Sequence, residues 1–388
     1  MNWLYVVLAY GSLFCLGIID NSRGPVFPQI LVFFNKSNSQ GSLVFVLTSI
    51  SALFVTVSGK YWLKRWGALI GTRSFVLIQA ISSFGMGLSG YLNNGFWFLL
   101  LCSFLFGIST GGMMISLNIL VIRASSVERR MKTFAGLHAM YGIASLLAPL
   151  FITFVYRIGL DWRVSFQLIA IFPFLVFIFS FFVSERLNNE NSSNEKAQIP
   201  VRIKISLAAI FAFCVAAEIA ISSRLVLYLT TYKGWEQELS SFYLSIFFAL
   251  LLLGRLTFSF ISFKRSSFDF LIISLISSFL FYLFGFYIHP IGLSICGLTL
   301  SFFFPCAMDW LTKEFGDSTD FILPIIMTST GVMLIIMHWL VGLLSEKVGI
   351  HRALHIGPVC LAISLFFLFI SNRLRRRYKN TKAKRAFV

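Results

Sequence analysis

Twelve long apolar blocks leave this chain few folds to choose from. They run over residues 4–34, 42–63, 68–92, 95–122, 133–156, 164–184, 203–232, 240–262, 267–288, 290–312, 320–345 and 352–370. A helix of about 20 apolar residues crosses a ~30 Å hydrocarbon layer, and each block has about that length or more. The runs lack the alternation of barrel strands. A soluble chain of 388 residues that is 57% hydrophobic would also have no core large enough to hold its apolar side chains. The expected fold is all-α, with twelve transmembrane helices. The N-terminus carries no basic n-region and the first block does not stop at an A-x-A site, so no cleavable leader is expected. All six cysteines (Cys15, Cys102, Cys214, Cys296, Cys306, Cys360) fall inside blocks, which points to buried thiols rather than a disulfide framework or a metal centre. No cofactor motif is present.

The net charge of +17 invites a nucleic-acid reading, but its distribution argues against one. If both termini are cytoplasmic, the loops and tail on that side hold 23 of the 32 Lys and Arg. Lys36, Arg157, Arg163, Lys233, Lys347 and Arg352 lie on the other side, and Arg23, Arg224 and Arg255 lie deepest inside blocks. This is the positive-inside asymmetry, and it sets the orientation of an integral protein of a plasma membrane, read here as a bacterial inner membrane. The C-terminal run RLRRRYKNTKAKR reads as an orientation anchor on anionic headgroups, with a partner-binding tail as the lesser alternative.

The stretch ERLNNENSSNEKAQIP is the one long polar interval between blocks and has linker composition. It divides the chain into a six-helix half (1–184), a cytoplasmic linker (185–202), a second six-helix half (203–371) and a basic tail (372–388). The halves correspond. Asp20 with Arg23 in block one matches Glu218 with Arg224 in block seven. SGKYWLKRWG after block two matches LLGRLTFSFISFKRS in block eight, and aligning Gly142 with Gly331 sets Pro149 opposite His338. Two parallel repeats joined by a central linker are the arrangement of a secondary transporter, and no phosphate-cradling loop points to ATP or to an enzyme.

Beyond the first turns of the blocks, three carboxylates lie within them: Asp20, Glu218 and Asp309. A charge at bilayer depth costs about 2.5–3.5 kcal/mol on insertion scales, so each should face a cavity and be paired. Asp20 and Arg23 are spaced i,i+3 and can meet on one helix face. They form either a static pair or a substrate or proton site. Pro25 and Pro28 favour the second, because they remove backbone donors and kink the helix, as happens where backbone lines a cavity. Glu218 has no base at i+3 or i+4, and such a carboxyl suits reversible protonation; a helix–helix hydrogen bond is the alternative. His338 is a candidate polar contact or proton acceptor. Asn21, Gln29 and Asn118 can donate and accept to a polar solute, and Tyr141 could stack on a sugar face. Arg255 and Asp309, near the inner ends of blocks eight and ten, read as gating or structural pairs, as do Lys64 and Arg65 in the turn after block two. His138 reads as packing. Gly107, Gly111 and Gly112 read as a close-packing face.

The chain resembles the major facilitator superfamily. The turn GKYWLKRWG stands where that family carries a Gly-x-x-x-Asp-Arg-x-Gly-Arg-type signature, keeping the glycine and bases but not the acid. Within the family it is similar to the fucose permease and sodium-dependent glucose transporter branch, through GPVFPQI, GISTGGMMISLN, AGLHAMYGIASLLAP, DWRVSF, AEIAISSRLVLYL, LLLGRL and FFFPCAMDW in order. The resemblance implies alternating access about a central site, a small polar solute with a monosaccharide as first guess, and coupling to protons or sodium, with protons preferred because Asp20 and Glu218 titrate. The other readings are an exporter of an amphipathic, drug-like or metal-chelating molecule, and a non-transporting membrane receptor or scaffold. The expected partners are a small solute, the coupling ion and the bilayer.

Overall fold

The structure, a computed structural model, describes residues 3–184, 199–260, 266–315 and 319–386. The linker residues 185–198 lie outside the described residues. The helices are α1 (Trp3–Phe33), α2 (Asn38–Val57), α3 (Gly59–Leu88), α4 (Gly95–Ala124), α5 (Val127–Arg157), α6 (Trp162–Ser180), α7 (Val201–Thr231), α8 (Gln237–Phe260), α9 (Ser267–Tyr287), α10 (Ile291–Ser301), α11 (Phe303–Phe315), α12 (Thr319–Val348), α13 (Ile350–Ala353) and α14 (Ile356–Ala386). Among the described residues they supply 12 spans long and apolar enough to cross a membrane, the tenth made of α10 with α11 and the last of α13 with α14.

Helix ends follow the local sequence. Ser37 caps α2 in a reciprocal box with Gln40, which satisfies two backbone donors at once. Asp161 caps α6 by accepting from the Arg163 backbone, and Ser266 caps α9 by accepting from Asp269. Burial pushes the Asp161 carboxyl up, but the bonds from the Arg163 side chain and backbone outweigh it and hold the group below the usual carboxylate range. The segment GKYWLKRWG is not an open turn. It starts α3 and is set off by a break at Gly67, whose φ of 71° only glycine adopts readily. Block ten is likewise not one helix, since it divides at Phe302 into α10 and α11. The basic run after residue 372 continues α14 as helix.

The packing repeats between the halves. In the first, α1 packs on α5 and α6, α2 on α4, and α3 on α4 and α6. In the second, α7 packs on α12 and α14, α8 on α10, and α9 on α10 and α14. Each pairing has its counterpart six spans later, which is a pseudo-two-fold. The halves meet through α1 with α7, α2 with α12, and α5 with α8.

The buried apolar core is not uniform along the membrane normal. The part of the first half nearest the chain termini (the terminal face) forms a cluster of its own, including Tyr5, Leu13, Phe75, Met113 and Leu120. Toward the opposite face (the loop face), Ile19, Phe27, Phe45, Phe106 and Ile152 of the first half join one core with Leu225, Leu244, Phe247 and Val341 of the second. The shared core therefore welds the halves together toward the loop face.

Candidate functional site

At mid-depth α1 presents Asp20, Asn21 and Arg23 toward α2 and α5. Asp20 and Arg23 form the ion pair that their spacing suggested, with Asp20 about a quarter exposed and Arg23 buried. The guanidinium is held from a second side, since Arg23 Nη1 donates to Thr48 Oγ1 (2.8 Å). The other Asp20 oxygen accepts from the Tyr141 hydroxyl (2.8 Å), and Asn21 Nδ2 donates to Ser145 Oγ (2.9 Å). Charge-assisted bonds of this kind are about twice as strong as neutral ones. Tyr141 thus acts through its hydroxyl on the carboxylate. α1 stays helical through Pro25 and Pro28, and the Pro25 carbonyl accepts from Gln237 of the second half.

On α7 the equivalent residues are disposed differently. Glu218 has no base at i+3 or i+4 on its own helix, but α8 supplies one: Arg255 Nη2 lies 3.6 Å from Glu218 Oε1. Arg255, expected nearer a gate, therefore reaches the carboxylate at mid-span. Arg224 does not reach Glu218. It is 1% exposed and extends into the first half, where Nη2 donates to Ser42 Oγ (3.1 Å) and the guanidinium lies over the rings of Phe27 (4.5 Å) and Phe45 (4.2 Å). Among the described residues no carboxylate pairs with it.

Phe45 is the hub of this region and was not singled out by sequence. Arg23 sits 5.1 Å from its ring centre, Arg224 sits 4.2 Å away, and His338 of α12 stacks on it at 5.0 Å. Desolvated cation–π contacts contribute about 2 kcal/mol each. Ser42, Phe45 and Thr48 are spaced i, i+3, i+6, so one face of α2 meets Arg224, both arginines and Arg23 in turn. That spacing is the signal a sequence reading could have used, hidden among 45 phenylalanines.

The remaining candidates fall elsewhere. Asn118 bonds back to the Met114 carbonyl (2.6 Å) in the terminal-face part of α4, away from Asp20. Gln29 is half-buried and makes no side-chain hydrogen bond among the described residues. Lys64 and Arg65 are exposed at the start of α3. Asp309 on α11 accepts from Lys313 (2.7 Å) and from Ser267 at the start of α9. His138 is exposed. No group of three or more His, Cys, Asp or Glu that could hold a metal ion occurs among the described residues.

Contacts between the halves continue to the loop face. Arg157 at the end of α5 pairs with Glu238 at the start of α8, and Ser37 Oγ donates to Glu346 Oε2 at the end of α12 (2.9 Å).

Two symmetry-related six-span halves meeting around paired intramembrane charges have a match among known families. Residues 9–319 match the family model described as Major Facilitator Superfamily. The chain belongs to the Major Facilitator Superfamily. As a member it is a transporter and not an enzyme, and it is an integral membrane protein. A relative is the glucose/mannose transporter GlcP of Bacillus subtilis (strain 168), 22% identical over 323 residues, covering 78% of each chain. Among solved structures the facilitator fold is shared with a bacterial homologue of the human lysosomal transporter Spinster (TM-score 0.77, 15% identity, 96% of this chain and 97% of that one). It is also shared with a D-xylose-proton symporter (TM-score 0.75, 14% identity, 95% and 96%).

Proposed function

We propose that this facilitator carries a monosaccharide across the membrane in symport with protons, by rocking its two halves about the Asp20–Glu218 level. The observation that carries the reading is the placement of two titratable carboxylates at equivalent points of α1 and α7, directly below the region where the halves are welded together. A carboxylate whose base comes from a different helix can exchange that base for a proton when the helices shift, which is what coupling requires. Names among the relatives support the solute class: the Bacillus subtilis protein is a glucose/mannose transporter and one structural neighbour is a D-xylose-proton symporter.

The excess of basic residues on the terminal face supports both termini being cytoplasmic. With that orientation the loop-face weld makes this an inward-facing arrangement, with Asp20 and Glu218 reached from the cytoplasmic side. Proteoliposomes decide the matter. Labelled glucose, mannose and xylose should accumulate against their gradients when the lumen is made alkaline, and a sodium gradient at equal pH should not replace the proton gradient. Uptake that only equilibrates under both gradients overturns coupling, and absence of any sugar flux overturns the solute class. A C-terminal reporter active only outside the cytoplasm should stay silent.

A further inference from the structure

The loop face carries few bases, and what each of them meets is uneven. Of the six Lys and Arg on that face, Arg157 pairs with Glu238, Arg163 pairs with Asp161, and Lys36 lies over the Phe96 ring at 5.2 Å. The other three, Lys233, Lys347 and Arg352, make no ion pair among the described residues, and all three belong to one place. There a cavity of about 760 Å3 is lined by Tyr232, Tyr287, Lys347, His351, Arg352 and His355, with Lys233 beside Tyr232 and close enough to act electrostatically on His351. The cavity lies wholly within the second half, where the ends of α7 and α9 meet the turn from α12 into α13.

The pocket is built rather than incidental. Gly349, at φ 83°, makes the turn that returns the chain from α12 so that Lys347 and Arg352 flank the same space. His351 lies flat on Tyr232, with centres 4.5 Å apart and planes 4° apart. His355 stacks on Phe286 at 4.6 Å and is fixed at both nitrogens, by the Tyr287 hydroxyl (2.9 Å) and the His351 carbonyl (2.9 Å). His351 Nδ1 is buried and has no hydrogen-bond partner among the described residues. No carboxylate lines the cavity. Three exposed positive charges gathered beside one cavity without an acid repel one another modestly through water, and they also run against the charge asymmetry that orients the chain. A bound anion offsets both effects. Its volume falls within the range of small-ligand sites, and the convergent lysine, arginine, imidazole and phenol donors suit a group offering three or more oxygens and up to two negative charges.

We propose that this cavity is a binding site for a phosphate group, carried by a soluble phosphate ester or by the headgroup of an anionic lipid, and separate from the central transport site. The occupant ties the end of α7 to the α12–α13 turn. Because Glu346, next to Lys347, accepts from Ser37 of the first half, an occupied site also bears on the loop-face contact.

Thermal unfolding of the purified transporter tests this. The probes are inorganic phosphate and glycerol 3-phosphate in neutral detergent, and nanodiscs of phosphatidylglycerol against phosphatidylcholine. The expected result is a saturable rise in Tm with at least one phosphate probe. It should weaken about tenfold or more in Lys347→Gln/Arg352→Gln and be retained in Lys347→Arg/Arg352→Lys. Lys347 and Arg352 are both exposed, and a monodisperse gel-filtration peak confirms folding of each variant. Stabilisation by the soluble probes assigns a soluble ester, and stabilisation by phosphatidylglycerol alone assigns a lipid headgroup. No stabilisation by any probe, or an equal rise in the Gln variant, overturns the proposal. Sugar transport is not part of the readout, so the site stands or falls independently of the transport reading.

Discussion

α1 and α7 begin from the same arrangement, an acid with an arginine a few residues further along, and use it in opposite ways. On α1 the three-residue spacing lets Asp20 and Arg23 neutralise each other within one helix, and Thr48 and Tyr141 satisfy what is left. On α7 the six-residue spacing puts Glu218 and Arg224 on different faces. Glu218 takes its base from α8, and Arg224 crosses to the first half. The first helix is electrostatically self-contained, and its charges travel as a unit. The charges of the seventh depend on which helices lie alongside, so any relative movement of helices changes their partners. A twofold-repeated sequence thereby acquires one charge centre paired within a helix and one paired between helices.

The sharpest way to break this comparison is to remove the acid paired between helices. Glu218→Gln keeps shape and some hydrogen bonding but cannot ionise. It should abolish proton-driven accumulation while preserving exchange of solute across proteoliposome membranes, and normal uphill uptake with its usual pH dependence would remove Glu218 from coupling. Next in size is a matched pair of substitutions. Arg23→Met strands Asp20 and should cost about 3 kcal/mol, since breaking a buried pair leaves an uncompensated charge. Arg224→Met strands no acid. The desolvation relieved offsets the lost ring contacts, so its cost should stay below about 1 kcal/mol. Equal falls in Tm for the two variants would show the asymmetry to be false.

The twelve spans, the two halves and the Asp20–Arg23 pair were all legible in the sequence, because each depends on block length or on spacing within one helix. The partner of Glu218 was not, since Arg255 reaches it only through the packing of α7 on α8, which no local pattern encodes. Phe45 was missed for a related reason: its role comes from Arg23, Arg224 and His338 converging from three helices. The break at Phe302 did leave a mark that was passed over: Pro305, in the first turn of α11, has no N–H to bond the Ser301 carbonyl, so the helical hydrogen-bond ladder is interrupted there.

Smaller effects refine the picture. Tyr141→Phe removes one bond to Asp20 and should lower stability by about 1 kcal/mol without abolishing accumulation. Loss of accumulation equal to that of Glu218→Gln would mean the centre on α1 also carries the proton. Smallest of all, Arg157→Gln removes an exposed ion pair across the loop face, for which less than about 1 kcal/mol is expected, and less still at high salt. Thiol labelling of a cysteine placed at the Phe27 level should rise slightly in this variant as the loop face opens more often. An unchanged labelling rate would place the hold on that face in the aromatic core rather than in its rim.

Gly107 and Gly111 give the first half a mechanical property. A Cβ at Gly107 would run into the Thr48 carbonyl, and one at Gly111 into the Ala52 carbonyl, so α4 lies backbone to backbone against α2. The Ser51 hydroxyl bridges the same seam by donating to the Phe104 carbonyl (2.8 Å). Contact this close leaves no compressible side-chain layer between the two helices. The face bearing Ser42, Phe45 and Thr48 is thus backed directly by the backbone of α4, so a shift of α2 at Phe45 meets α4 with no side-chain layer between them to absorb it.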